Sequence, residues 1–187
     1  MLAHTDLKKG VKIILDGQPY EVLEASPLKI AQRRPIIQTR IKNFITGDVF
    51  EKNFHQGDTF EEAEILKLEA KFLYSHRDKY FFSEINNPAK RFDLTTQQIG
   101  KVSKFLKSNQ IVEGIVFDDK IINIILPIKV QLKVIQSPPG IKAGRSEAGT
   151  KQVILETGAK INVPLFIKEG DVVEINTQTE EYVRRIE

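Results

Sequence analysis

The chain has 187 residues, of which 41% are hydrophobic and none is cysteine, and its formal net charge is +3. That apolar content supports packed cores and excludes a disordered chain, and the length suits one to three small domains. The absence of cysteine excludes disulfides, cysteine-based zinc sites and a thiol nucleophile, and fits a cytoplasmic protein. No run of about 18 apolar residues is present to cross a membrane. The opening MLAHTDLKKG lacks an apolar signal core, so no secretion signal is expected.

Residues 6–64 read as about five short strands. Val11, Ile13 and Leu15 give a largely apolar first strand, and Asp16-Gly17 is a hairpin turn. The return strand begins at Pro19-Tyr20-Glu21-Val22-Leu23. A long hairpin follows, then turns at Thr46-Gly47 and Gly57-Asp58. Frequent turns between short strands predict a small β-barrel.

Residues 65–128 alternate with a period of two from Ile65 to Tyr74, which predicts Leu66, Leu68, Ala70 and Phe72 as a buried face. Arg77-Asp78 is a turn, followed by a strand at Tyr80-Phe81-Phe82. Ile99, Val102, Phe105 and Leu106 then recur at helical spacing, with Thr95 or Thr96 as cap, so one short helix is predicted over Thr95–Ser108. Strands at Ile111–Phe117 and Ile121–Leu126 close the unit around an Asp118-Asp119 turn. Strands with one helix packed under them suit an OB-type barrel.

Residues 129–187 start with a clean alternation over Lys129–Val134. A polar loop runs from Ile141 to Thr150, and four strands follow at Val153–Leu155, Lys160–Val163, Asp171–Asn176 and Glu181–Ile186. A third small barrel is predicted. No Pro/Ser linker separates the units, so they are expected to be closely jointed.

The strongest functional signal is the stretch from Ser26 to Asn43, which reads as two strands joined by a tight turn. No Asp or Glu occurs from Ala25 to Gly47, while Lys29, Arg33, Arg34, Arg40 and Lys42 do. Cations that neutralise phosphates release condensed counterions, so an acid-free basic hairpin suits a polyphosphate backbone; a solvated, basic surface is the plainer reading. Signals of catalysis are missing. His4, His55 and His76 are scattered, and no HExxH, GxSxG, P-loop or dinucleotide fingerprint occurs. Asp118-Asp119 reads as a turn rather than paired carboxylates. Phe72, Tyr80, Phe81 and Phe82 read as core rather than base-stacking platforms. The protein is therefore not expected to be an enzyme, to hold a metal or to need a cofactor.

The chain resembles the bacterial elongation factor P family over essentially its whole length. The first unit matches in Asp6-Leu7-Lys8-Lys9-Gly10, in Leu15-Asp16-Gly17-Gln18-Pro19-Tyr20, and in Thr39-Arg40-Ile41-Lys42-Asn43 before Thr46-Gly47. The third matches in Pro139-Gly140-Ile141-Lys142, Lys151, Val153, Leu155-Glu156-Thr157-Gly158, Ile161, Val163-Pro164, Ile167 and Gly170. The resemblance implies an all-β, L-shaped monomer of three small barrels. These are an SH3/KOW-like barrel over residues 1–64 and OB-like barrels over 65–128 and 129–187. It further implies binding to the ribosome beside peptidyl-tRNA, and help with peptide-bond formation when consecutive prolines stall synthesis.

On that alignment Gln32, Arg33 and Arg34 form the hairpin tip that approaches the acceptor end of the tRNA. Lys29, Arg40 and Lys42 are expected to meet RNA phosphates. Most relatives carry at the tip a Lys or Arg, flanked by Gly, that is enzymatically extended. Here Gln32 takes that position, or Arg33 if the alignment slips by one residue. Gln32 argues against lysylation or rhamnosylation and leaves the work to unmodified arginines. A Gly-Asp-Thr loop associated with messenger RNA in the exit site is replaced by Ala143-Gly144-Arg145-Ser146-Glu147, where Arg145 is expected to meet phosphate. Two other readings stay open: a KOW/OB RNA-binding protein of ribosome assembly, and an RNA-acting enzyme, which would need a metal or acid/base cluster.

Overall fold

The computed structural model describes residues 1–28, 36–139 and 149–186. Its first sheet holds β1 (Leu2–Ala3), β2 (Lys12–Leu15), β3 (Gln18–Leu28), β4 (Ile36–Asn43), β5 (Val49–His55) and β6 (Thr59–Glu62), in the order β1-β6-β2-β3-β4-β5. Asp16 (φ 51°) and Gly17 (φ 74°) both take the left-handed conformation. This is the type I′ geometry whose twist matches the flanking strands, and it registers Leu15 opposite Gln18. Pairing of β3 with β4 slips between Val22 and Glu24, a bulge that puts both Val22 and Ala25 on the core side. The turn after β4 is built by Asn43, which is 5% exposed. Its carbonyl oxygen accepts from the Ile45 and Thr46 N–H groups at 2.7 and 3.2 Å, and its amide donates to Gln18 Oε1 at 2.7 Å.

The second sheet holds β7 (Leu66–His76), β8 (Lys79–Glu84), β9 (Arg91–Thr95), β10 (Ile111–Phe117) and β11 (Lys120–Ile125), ordered β11-β10-β7-β8-β9. Asp118 (φ 51°) and Asp119 (φ 58°) make the β10–β11 turn, the role expected of them. Of the predicted buried face, Ala70 and Phe72 are buried and Leu68 is half-buried, but Leu66 is 56% exposed. Leu66 opens the strand, where the first sheet leaves its side chain uncovered. A register shift between Phe72 and Tyr74 then turns Tyr74 outward, where it stacks on Phe81 at 4.8 Å. Phe72 and Phe82 are core residues, as expected, and Tyr80 packs against them. Phe81, expected with them, lies half-buried beside Tyr74 and outside the core.

The predicted helix is broken. Only α1 (Thr96–Ile99) is α-helical, and Gly100–Phe105 continues as a 3₁₀ segment. Thr95 does cap it: the Gln98 N–H donates to Thr95 Oγ1 at 3.3 Å, and the Thr95 N–H donates to Gln98 Oε1 at 3.0 Å. Gly100 then takes φ 72°, which no α-helix contains. Ile99, Val102 and Phe105 recur every third residue, the spacing at which 3₁₀ side chains eclipse. Ile99 and Phe105 are consequently both buried.

The third sheet holds β12 (Lys129–Gln136), β13 (Thr150–Leu155), β14 (Lys160–Pro164), β15 (Val172–Asn176) and β16 (Glu181–Ile186), ordered β14-β13-β12-β15-β16. In β12 the predicted alternation holds, with Val130, Leu132 and Val134 buried and Lys129, Gln131 and Lys133 outward. One apolar core runs through the second and third sheets, from Phe82 and Leu94 to Leu132, Val153 and Val173. The first sheet has its own core around Ile13, Val22, Ile41 and Phe54. Among the described residues, two ion pairs join the second and third sheets: Lys107 with Glu156 at 2.8 Å, and Lys104 with Glu180.

Two carboxyls in the third sheet sit below their ordinary range. Burial pushes the Glu156 carboxyl up, but the Lys107 ammonium and the Lys133 backbone N–H together outweigh it. For Glu174, 4% exposed, the Arg184 guanidinium is the largest influence and holds the carboxyl down. Arg184 Nε donates to Oε2 at 3.0 Å, and the Lys129 ammonium lies 3.3 Å from Oε1 as an ion pair without hydrogen-bond geometry.

Phe82→Ala should cost about 3–5 kcal/mol in urea unfolding. Because the core is shared, probes in the second and third sheets should shift together. Glu174 is lowered on folding from an ordinary value of 4.5, so its stabilisation is complete above that pH and lost as pH falls through its depressed value. The urea midpoint of the native chain should therefore exceed that of Glu174→Gln at neutral pH, and the gap should narrow on acidification below about 4.5.

Candidate nucleic-acid interface

The β3–β4 hairpin is the described part of the basic stretch. Its ladder runs out to Leu28 opposite Ile36, and β5 extends it to His55 opposite Ile36, so three strands reach the base of the tip. That base is anchored. Phe54, opposite Ile37, is 3% exposed and packs edge-on against Phe60 with ring centroids 4.7 Å apart. Thr39, 1% exposed, donates from Oγ1 to the Lys52 carbonyl at 2.7 Å. On the other side Ser26, Pro27 and Leu28 are exposed.

The tip residues Lys29, Gln32, Arg33, Arg34 and Pro35 lie outside the described residues, as does Arg145. Of the expected phosphate contacts, Arg40 and Lys42 are described, both on the outward side of β4. The window that is acid-free along the chain is not acid-free in space. Glu24 lies opposite Arg40 on β3 and pairs with it at 3.3 Å, while Glu51 lies opposite Arg40 on β5 and accepts from Gln38 at 3.5 Å. Lys42 has Glu21 opposite it. The stem charges therefore offset one another across the strands, and the remaining cations of the stretch, Lys29, Arg33 and Arg34, fall in residues 29–35, a segment with no acid in its sequence. The Arg40–Glu24 pair is half-exposed and so worth at most about 1 kcal/mol, little enough for a phosphate to displace Glu24.

The sequence reading missed Glu24 and Glu51 because they act across the ladder. For Glu51 the available signal was the Thr46-Gly47 turn, which sets which residues of β4 and β5 face each other. The sequence reading placed Asn43 in the family motif but not as the builder of the turn after β4. Elsewhere, no group of three or more His, Cys, Asp or Glu able to hold a metal occurs among the described residues, and none of their helices is long and apolar enough to cross a membrane. The two carboxyls with lowered pKa, Glu156 and Glu174, belong to the third sheet and not to the hairpin.

Sequence comparison points the same way at both ends of the chain. Residues 3–60 match the elongation factor P KOW-like domain, and residues 130–185 match the elongation factor P C-terminal domain. Proteins called elongation factor P share 35% identity over 186 residues in Carboxydothermus hydrogenoformans, covering 100% of both chains. The figure is 37% over 185 residues in Synechococcus sp. (strain JA-2-3B'a(2-13)), covering 99% of this chain and 100% of the relative. Among solved structures, a eukaryotic translation initiation factor 5A from Methanococcus jannaschii is similar in fold, with a TM-score of 0.50 at 16% identity, covering 67% of this chain and 90% of that one. With full-length relatives above a third identical and both terminal domains matched, the chain belongs to the elongation factor P family.

Proposed function

We propose that this protein is a cytoplasmic, monomeric translation elongation factor. It binds the ribosome beside peptidyl-tRNA and promotes peptide-bond formation at consecutive prolines by holding the acceptor end in a reactive pose. Its three units divide near Glu64 and Lys129. The observation that carries this reading is the charge arrangement of the hairpin. A neutral, core-anchored stem of three strands ends in a segment with three cations and no acid. Charge confined to the end of a rigid element attracts an anionic partner to that end alone.

Proline is a constrained and poor nucleophile, with its φ locked by the ring. A factor that orients the reactants lowers the barrier without chemistry of its own, and each 1.4 kcal/mol or so is worth about tenfold in rate. Gln32, Arg33 and Arg34 are the residues we assign to the acceptor end. A guanidinium forks onto phosphate and stacks on bases without added chemistry, so neither Gln32 nor Arg33 needs modification. Lys29, Arg40, Lys42 and Arg145 are assigned to RNA phosphates, the last of these to messenger RNA in the exit site.

Replacing Arg33 and Arg34 together with Ala should change stability by no more than about 0.5 kcal/mol. It should abolish the protein's stimulation of polyproline synthesis in a purified translation reaction, and the salt dependence of ribosome binding should become shallower. Undiminished stimulation by the folded double variant would exclude the tip as the working end. Binding to free ribosomal RNA as tightly as to translating ribosomes would favour a role in ribosome assembly instead.

A further inference from the structure

We propose that Asn123 is the positioning residue that sets the direction in which the first sheet, and with it the hairpin, is held on the body formed by the second and third sheets. The consequence for translation rests on the function proposed above; the mechanical claim does not.

Asn123 lies on β11 and is 7% exposed. Its amide nitrogen faces three carbonyl oxygens: Gln98 at 2.9 Å in its own unit, and Ile45 at 3.0 Å and Phe44 at 3.3 Å in the first. Its own carbonyl oxygen accepts from the Ile124 N–H at 2.7 Å, which fixes the amide's orientation. Among the described residues, no other hydrogen bond and no ion pair joins the first sheet to the second. The apolar cores do not join them either, since the cluster around Ile13 and Phe54 is separate from the one running through the other two sheets. Ile115, opposite Asn123 in the β10–β11 register, is 4% exposed yet belongs to neither cluster.

Beside the joint, electrostatics works against contact. A cleft of about 690 Å³ is lined by Glu61, Glu62 and Glu64 from one side and Asp118 and Asp119 from the other. None of these five carboxylates is in an ion pair among the described residues. Like charges across the cleft push the units apart, and the Asn123 amide is the directional group that opposes them.

What Asn123 grips matters most. Phe44 and Ile45 immediately follow β4, the strand that leads back from the hairpin tip. The latch therefore holds the inner end of that strand. Eight residues at about 3.3 Å each make a lever of roughly 26 Å, so a tilt of about 10° moves its far end by roughly 4–5 Å. Misplacement by about 1 Å can cost a hundredfold where orientation does the work. A single amide thus controls how accurately the tip is presented.

The chain has no cysteine, so pairs can be introduced for spin labels without removing any. One pair, at Asn53 and Ala89, spans the joint between the first and second sheets; a second, at Ala89 and Glu169, spans the joint between the second and third. All these positions are exposed. Asn123→Ala removes the amide. Asn123→Asp keeps the acceptor for Ile124 but loses the donors. In both variants the ratio of docked to undocked first sheet should fall roughly tenfold, read as a broadened Asn53–Ala89 distance distribution by pulsed dipolar spectroscopy. The Ala89–Glu169 distribution should stay as narrow as in the native chain. An unchanged Asn53–Ala89 distribution in both variants would overturn the proposal. So would broadening of both pairs in both variants, since Asn123 would then be holding the second sheet itself together. Polyproline synthesis with the same variants separates the two claims. A broadened distribution with undiminished stimulation would leave the latch standing and count against the hairpin as working end.

Discussion

Apolar burial is continuous between the second and third sheets and stops at the first, and the mechanics of the molecule follow from that. A fully buried Leu, Val or Phe contributes about 1.5–3 kcal/mol. Leu94, Leu132, Leu155, Phe82 and Val153 all sit in the shared core at 2% exposure or less. The ion pairs Lys104–Glu180 and Lys107–Glu156 at the same joint are partly exposed, and such pairs are worth about 0.2–1 kcal/mol each. The core therefore makes two sheets one body, and the ion pairs add only direction. The first sheet, outside that core, depends on a few directional contacts for its placement.

Charge is handled differently in the two bodies. In the third sheet, Glu174 is nearly covered and is held between Arg184 and Lys129, an arrangement that neutralises a carboxylate taken from water. On the hairpin stem, Arg40 pairs with Glu24 at partly exposed positions where water screens them, while Glu51 and Glu21 stand opposite Arg40 and Lys42 in the ladder. The stem thus carries little net field. The cations of residues 29–35 are unopposed along the chain, and a field from exposed charges fades over about 10 Å at moderate salt. On the function proposed above, selectivity for an anionic partner depends on where the tip is held, which links the electrostatics of the hairpin to the geometry of the joint.

Much of this was legible from local pattern. The Asp16-Gly17 and Asp118-Asp119 turns, the alternation over Lys129–Val134 and the Thr95 cap each follow from interactions between residues a few positions apart, and the structure has all of them. Motif spacing at both ends of the chain was enough to identify the family. The misreadings came where a local pattern fits two geometries. A spacing of three at Ile99, Val102 and Phe105 suits a 3₁₀ segment as well as an α-helix, and the backbone of Gly100 decided between them. Period-two alternation identified the face of β7 that carries Leu66, but not whether anything covers that end of the strand.

The sequence by itself determined most of the strands and turns, though not β1 or β9, together with the family and the position of the surplus cations, because each depends on neighbours along the chain or on a spaced motif. Only the tertiary structure decided what opposes the cations of the stem and what holds the parts together. Glu24 and Glu51 reach Arg40 through strand pairing. Phe82 and Val173 share a core though 91 positions apart in number. Asn123 looks in sequence like any polar residue on an edge strand. It becomes the link between two units only because the fold brings the carbonyls of Phe44 and Ile45 within 3.3 Å of its amide. Contacts of that kind form between surfaces whose separation along the chain carries no periodic signal, so packing alone reveals them.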